Sequence, residues 1–311
     1  MIQWQGVFPA LTTPFTIDGK LDLPMFEKNL DAQIDAGVHG LIVGGSLGEA
    51  STIRQEEKEQ LIRKALEKSA KTIPVVLNIA ESATSDAIKQ ARLAEEWGAH
   101  GLMVLPPMRY KSDAVETLTY FKNIAASTEL PMMIYNNPVD YGIEVSIRMF
   151  EELTVVENIQ AVKDSTRDVS NVSRMINAFG DRFKILCGVD TIAMEELCVG
   201  ADGWVAGLVN AFPRETVVIY ELIKQGRMEE ARRIYRWFLP LLELDIHPKL
   251  VQYIKLAQAV TGLGTEHVRA PRLTLVGAER ERILSIINEG ITSRPHLPVV
   301  RKSEKRFSRS L

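Results

Sequence analysis

The sequence predicts an α/β chain folded as a (β/α)8 TIM barrel with a C-terminal helical extension. Three observations carry that expectation. Eight short apolar runs alternate with amphipathic helical segments, a glycine pattern recurs at the helix-to-strand joints, and a lysine closes the sixth apolar run.

The apolar runs are Gly6–Leu11, Gly40–Val43, Pro74–Asn78, Gly101–Leu105, Pro131–Tyr135, Ile159–Lys163, Phe183–Cys187 and Gly203–Ala206. They are nearly unbroken by polar residues, as parallel strands covered on both faces must be. Helical periodicity fills the intervals, as in Gln55–Ser69, Ser85–Trp97, Ala114–Ser127 and Pro213–Gln225. The segments Gly37–Gly40, Gly98–Gly101 and Gly200–Gly203 share one grammar. The first glycine takes the left-handed helix cap and the second opens a strand. His39 and His100 hold matching places in it, which puts them in the packing at the barrel bottom. Eight such units close more readily into a barrel than into an open sheet.

The barrel is expected over residues 1–226. Helical patterns at Met228–Leu244, His247–Thr261 and Ala278–Glu289 then form an extension over 227–292, with no Pro/Gly/Ser-rich linker to make it a separate domain. Residues 293–311 carry six Arg or Lys against the single Glu304 and no apolar period, so a flexible basic tail is expected.

Composition narrows the function. With 311 residues, 46% of them hydrophobic and 25% charged, the chain can bury one large core. A formal charge of −3 gives nucleic acid or an anionic membrane no reason to bind. No apolar stretch reaches spanning length and the first residues lack signal-peptide character, which leads to a cytoplasmic expectation. Cys187 and Cys198 are too few for a disulfide framework, and the five histidines lack metal-ligand spacing, so no metal site is expected.

In such barrels chemistry sits where strands end, and Lys163 is at such an end. Burial disfavours the ammonium, so a buried amine there becomes a nucleophile able to form a Schiff base with a carbonyl or imine carbon. Side chains alternate along a strand, so Asp164 should face away from the pocket. Tyr135 ends the neighbouring strand about 4.8 Å away, where a phenol can move protons beside that carbon. The loop Gly44-Gly45-Ser46-Leu47-Gly48-Glu49 offers free amides and the Ser46 hydroxyl to a carboxylate. Its spacing is not the G-x-G-x-x-G of a dinucleotide site. Gly188, and Gly203 through Gly207 with Val205 between them, could likewise admit a ligand close to the backbone. Each feature also has a plainer reading: a lysine reaching solvent, a tyrosine packing its ring, a tight turn.

Taken together, G-G-S-L-G-E at 44–49, Y-N-N-P at 135–138, A-V-K-D-S at 161–165 and G-V-D at 188–190 resemble the dihydrodipicolinate synthase/N-acetylneuraminate lyase family, over Gly6 to about Glu289. The resemblance implies a Schiff-base lysine at Lys163, proton transfer by Tyr135, carboxylate binding by Ser46 and the Leu47 amide, and a homotetramer. It also exposes departures. Leu47 stands where the synthases carry a second hydroxyl residue, and Met108 and Arg109 stand where they carry a tyrosine pair. Asp140 replaces an arginine that holds the aldehyde's carboxylate, and an anion there works against the synthase reaction.

S-L-G-E at 46–49, G-L-M-V-L-P-P at 101–107, Y-N-N-P with Y-G at 141–142, G-W-V-A-G-L-V-N-A at 203–211, Y-R-W-F-L-P-L-L at 235–242 and R-A-P-R-L at 269–273 are similar to the family's 1-pyrroline-4-hydroxy-2-carboxylate deaminases. That subgroup implies a lyase (hydrolytic deaminase) of hydroxyproline degradation. Lys163 would exchange the ring C=N for an enzyme imine, the 4-hydroxyl would leave as water, and ammonia and 2-oxoglutarate semialdehyde would result. The imine is the electron sink, so no cofactor is implied. The alternatives are a 4-hydroxy-tetrahydrodipicolinate synthase or other pyruvate-dependent aldolase and, from another class, a catalytically silent sensor of 2-oxo acids.

Overall fold

The computed structural model describes residues 2–70, 72–107 and 110–300. Its eight strands are β1 (Gly6–Pro9), β2 (Leu41–Val43), β3 (Val75–Ile79), β4 (Gly101–Val104), β5 (Met132–Asn136), β6 (Ile159–Asp164), β7 (Lys184–Cys187) and β8 (Gly203–Ala206). They pair in parallel in chain order, with β8 returning to β1. A parallel bridge from Ala10 to Ile42, with the Leu11 amide donating to the Ile42 carbonyl at 2.9 Å, joins β1 to β2 and closes the ring. The fold is the expected (β/α)8 barrel.

Four strands, β2, β3, β5 and β7, begin one residue later than their apolar runs, and in β3 and β5 the residue left out is a proline. Pro74 and Pro131 have no N–H to give, so they join the ladder only as acceptors, taking the Leu41 and Leu102 amides at 2.9 Å.

Nine helices follow the strands: α1 (Leu23–Ala36), α2 (Gln55–Ser69), α3 (Thr84–Glu96), α4 (Ala114–Ala125), the single turn α5 (Pro138–Tyr141), α6 (Ile147–Leu153), α7 (Ser170–Phe179), α8 (Ala193–Cys198) and α9 (Pro213–Lys224). Their ends follow the local chemistry. Asp22 caps α1 by accepting the Met25 amide, and Gly37 closes it at φ 89°. Asp113 and Glu116 form a reciprocal capping box on α4.

The recurring glycine grammar has a polar purpose at the barrel bottom. His39 Nδ1 accepts the Val7 amide at 3.1 Å, and His100 Nδ1 accepts the Val75 amide at 3.0 Å. In the third copy Asp202 accepts the Ile185 amide at 2.9 Å. Each side chain satisfies an N–H within the first two residues of the strand beside its own, so these positions cap strands as well as pack.

The extension adds α10 (Met228–Leu242), α11 (Leu250–Thr261) and α12 (Gly277–Thr292). Beyond α12 the chain stays against the molecule as far as Val300. Arg294 ion-pairs with the buried Glu215, Arg227 Nη1 donates to the Val299 carbonyl at 3.1 Å, and Leu297 and Val300 pack on the core. Residues 301–311, which hold five of the six basic residues of that stretch, lie outside the described residues.

Candidate active site

The register of β5 on β6 sets Tyr135 directly beside Lys163. Lys163 is 6% exposed, and its Nζ stands 3.9 Å from the centre of the Tyr135 ring. Among the described residues it makes no ion pair and no hydrogen bond. Burial pushes its pKa below that of an ordinary lysine, against the pull of Tyr141, Asp245 and Asp190. The phenol of Tyr135 is buried too and accepts from Asn137 Nδ2 at 3.3 Å, and burial raises its pKa so that it stays neutral. Asp164 faces the other way, as alternation requires, and accepts from the Thr166 amide at 2.9 Å and Asn171 Nδ2 at 2.8 Å.

Gly188 makes room for Lys163. A Cβ there would lie 2.7 Å from Lys163 Cε and 2.1 Å from Ser165 Oγ. The bare backbone there packs against the lysine's stem and also lines the cavity.

The loop after β2 is built around Glu49, which holds a left-handed φ of 60° and is fully buried. Its carboxylate meets Lys255 Nζ at 2.7 Å and the Arg269 amide at 3.0 Å, and Lys255 also donates to the Thr13 carbonyl at 2.8 Å. The extension thus clamps the loop. Within it, Glu49 and Ala50 donate back to the carbonyls of Ser46 and Gly45, both at 3.1 Å. The amides of Ser46 and Leu47 find no acceptor among the described residues, which leaves two donors for an anion beside the cavity. Ser46 Oγ lies 2.5 Å from the Tyr141 hydroxyl, and the Tyr141 ring meets that of Tyr135 edge-on at 5.6 Å. Burial raises the Tyr141 pKa as well.

One cavity collects Lys163, Tyr135, Gly45, Ser46, Leu47, Gly188 and Val205 of the residues singled out by sequence. Asp140 is not among its lining residues. Asn137, the cap of α5, holds the Asp140 carboxylate at 2.8 Å, and Arg167 Nη2 pairs with it at 3.3 Å on the half-exposed rim. Arg109, with Met108, lies outside the described residues.

Tyr141, Arg167 and Asp245 line the cavity without having been given a role from sequence. Tyr141, seen there only within the shared Y-G at 141–142, sits at the end of a single helical turn. Arg167 reaches the cavity from a left-handed φ of 62° that nothing in D-S-T-R-D announces. Asp245 arrives from the extension, where the signal was an acid ending an apolar helix.

A closed parallel barrel that buries a lysine and a phenol together at its strand ends has the layout of a TIM-barrel enzyme. The chain belongs to the Dihydrodipicolinate synthetase family, whose model matches residues 3–289. It is 33% identical over 276 residues to a 4-hydroxy-tetrahydrodipicolinate synthase of Exiguobacterium sibiricum, covering 88% of this chain and 92% of that one. A dihydrodipicolinate synthase of Bacillus anthracis superposes with a TM-score of 0.89 at 28% identity, over 95% of this chain and 100% of that one. The enzyme of Acinetobacter baumannii, solved with pyruvate, superposes at 0.87 and 26% identity, over 93% and 99%. A monomeric synthase variant also superposes at 0.87 and 26% identity, over 92% and 96%.

Proposed function

We propose that this protein is a cofactor-independent lyase in which Lys163 forms an imine at C2 of a 2-oxo acid or a cyclic 2-imino acid. The observation that carries this is the buried amine with no partner, 3.9 Å from the Tyr135 ring. Tyr135, Tyr141 and Ser46 form a run of neutral hydroxyls beside it, suited to proton transfer at the carbon next to the imine. The free amides of Ser46 and Leu47 suit the substrate carboxylate.

For the substrate, our reading is 1-pyrroline-4-hydroxy-2-carboxylate, deaminated to 2-oxoglutarate semialdehyde. Its support is the rim, where Arg167 is already neutralised by Asp140. No unpaired cation among the described lining residues is left there for the second carboxylate of an acidic aldehyde, whereas the pair can hydrogen-bond a hydroxyl. The second reading is 4-hydroxy-tetrahydrodipicolinate synthase, and the names of the curated relatives, together with the pyruvate-bound A. baumannii enzyme, favour it over the deaminase.

One assay separates them. Release of ammonia and semialdehyde from the pyrroline without added pyruvate supports the deaminase. Borohydride inactivation that requires pyruvate, with an aldol product from an acidic aldehyde, supports the synthase. Ligand-induced thermal stabilisation with neither trapping nor turnover would leave the 2-oxo acid sensor. Sedimentation tests the homotetramer of the family resemblance, which the fold does not dictate, since one neighbour is a monomeric variant.

A further inference from the structure

The cavity contains an acid that neither the imine nor the carboxylate site uses. Asp245 lies in the turn Glu243–Ile246 between α10 and α11 and lines the same cavity as Lys163. Its carboxyl occupies the space left by a missing side chain on β8's following loop: a Cβ on Gly207 would lie 2.3 Å from Asp245 Oδ1.

The charged groups facing it are Asp190, Lys163 and, further out, Asp140. Asp190 has the donors an anion needs, with Trp204 Nε1 at 2.8 Å, the Leu208 amide at 2.8 Å and the Gly207 amide at 3.1 Å. Among the described residues Asp245 has only the Asp190 amide as a donor. Two neighbouring carboxyls in a dry site do not both ionise, and the one with fewer donors keeps its proton. Burial, followed by the charge of Asp190, accordingly pushes the Asp245 acid well above the usual carboxylate range.

Resting on the Schiff-base reading above, the geometry points to Asp245 as a catalytic acid that protonates the oxygen on C4 of the Lys163-bound substrate. With C2 held as the iminium, loss of a C3 proton gives the enamine. The enamine electrons form the C3=C4 bond while the C4–O bond breaks, and its pair leaves on oxygen. That oxygen takes the Asp245 proton and departs as water. The nitrogen returns to iminium, Asp245 becomes a carboxylate beside that cation, and solvent at the cavity mouth restores its proton. In an aldol addition the same acid would protonate the new C4 alkoxide.

The test treats wild type and Asp245→Asn with 1-pyrroline-4-hydroxy-2-carboxylate. It follows ammonia release and, after borohydride, the mass of the Lys163 adduct, with thermal unfolding of both proteins alongside. The expected result is adduct at the wild-type level in the variant, heavier than the dehydrated adduct by one retained water, with kcat lowered about 10²- to 10³-fold. The acidic-to-basic fall in the wild-type pH–rate profile should vanish with it. Wild-type ammonia release by the variant overturns the assignment. So does joint loss of adduct and turnover in a folded variant, which would make Asp245 a positioning residue for Lys163. No adduct on the wild type overturns the Schiff-base reading and this step with it.

Discussion

Lys163 and Lys255 are both buried in this barrel, yet they are built for opposite ends. Lys255, on α11, is 0% exposed and meets Glu49 at 2.7 Å and the Thr13 carbonyl at 2.8 Å. Lys163, on β6, has the face of a phenol and no carboxylate in contact. Burial pushes both amines down, Lys255 to about 8 even with its partner. The difference is where the lone pair can go. A paired ammonium is a fixed post, holding the loop at 44–49 to the extension. An unpaired amine is uncomfortable as a cation and free to react. Partner, not depth, separates the structural lysine from the proposed nucleophile.

The sharpest way to break this contrast is Lys163→Ala. Turnover and borohydride trapping should fall by about 10³-fold or more, while the denaturation midpoint stays or rises, because an unpaired buried amine is removed. A variant that keeps full activity sinks the mechanism. Lys255→Met should do the reverse to stability, stranding Glu49 in the interior and costing about 3–5 kcal/mol in a urea titration. If both substitutions shifted stability in the same direction, the contrast would fail.

A buried carboxyl extends the comparison. Glu196 is fully buried, and its oxygens have the Cys187 thiol beside them and no other partner among the described residues. Burial raises its pKa from 4.5 to about 8. The folded protein therefore holds this proton more tightly than the unfolded chain. The stability it contributes is full below pH 4.5, declines as pH rises, and is gone above about 8. Glu196→Gln should leave stability at pH 4 nearly unchanged and add a few kcal/mol, on the order of 2–4, at pH 9. Equal effects at both pH values would show that the carboxyl has partners when the protein is in water. The smallest effect is expected for Tyr141→Phe, which breaks the 2.5 Å contact with Ser46. A fall in kcat of about 10- to 10²-fold with imine trapping intact would place Tyr141 after imine formation, and unchanged kcat would remove it from proton transfer.

What was legible in the sequence was what depends on near neighbours. Apolar runs and glycine joints marked the eight strands, and the strand ends marked Lys163 and Tyr135, whose pairing follows from register alone. The loop at 44–49 was visible through its glycines, but the reason it holds its shape was not. Glu49 is fixed by Lys255 and Arg269, more than two hundred residues further on. Asp140 was read without the Arg167 that neutralises it, because their meeting depends on a one-turn helix and a left-handed arginine. Asp245 was legible only as an acid after an apolar helix, with no hint of where it lands. No local periodicity says that a turn of the extension folds back over Gly207.

The clamp from Glu49 to Lys255 and Arg269 also has a meaning in time. A chain leaves the ribosome N-terminus first, so Lys163 emerges well before Lys255 and Arg269, which lock the loop, and before Asp245. Until α11 is synthesised, the nascent barrel carries that lysine in an unfinished chamber, and the cavity takes its final shape only after the barrel's eight strands have all been made.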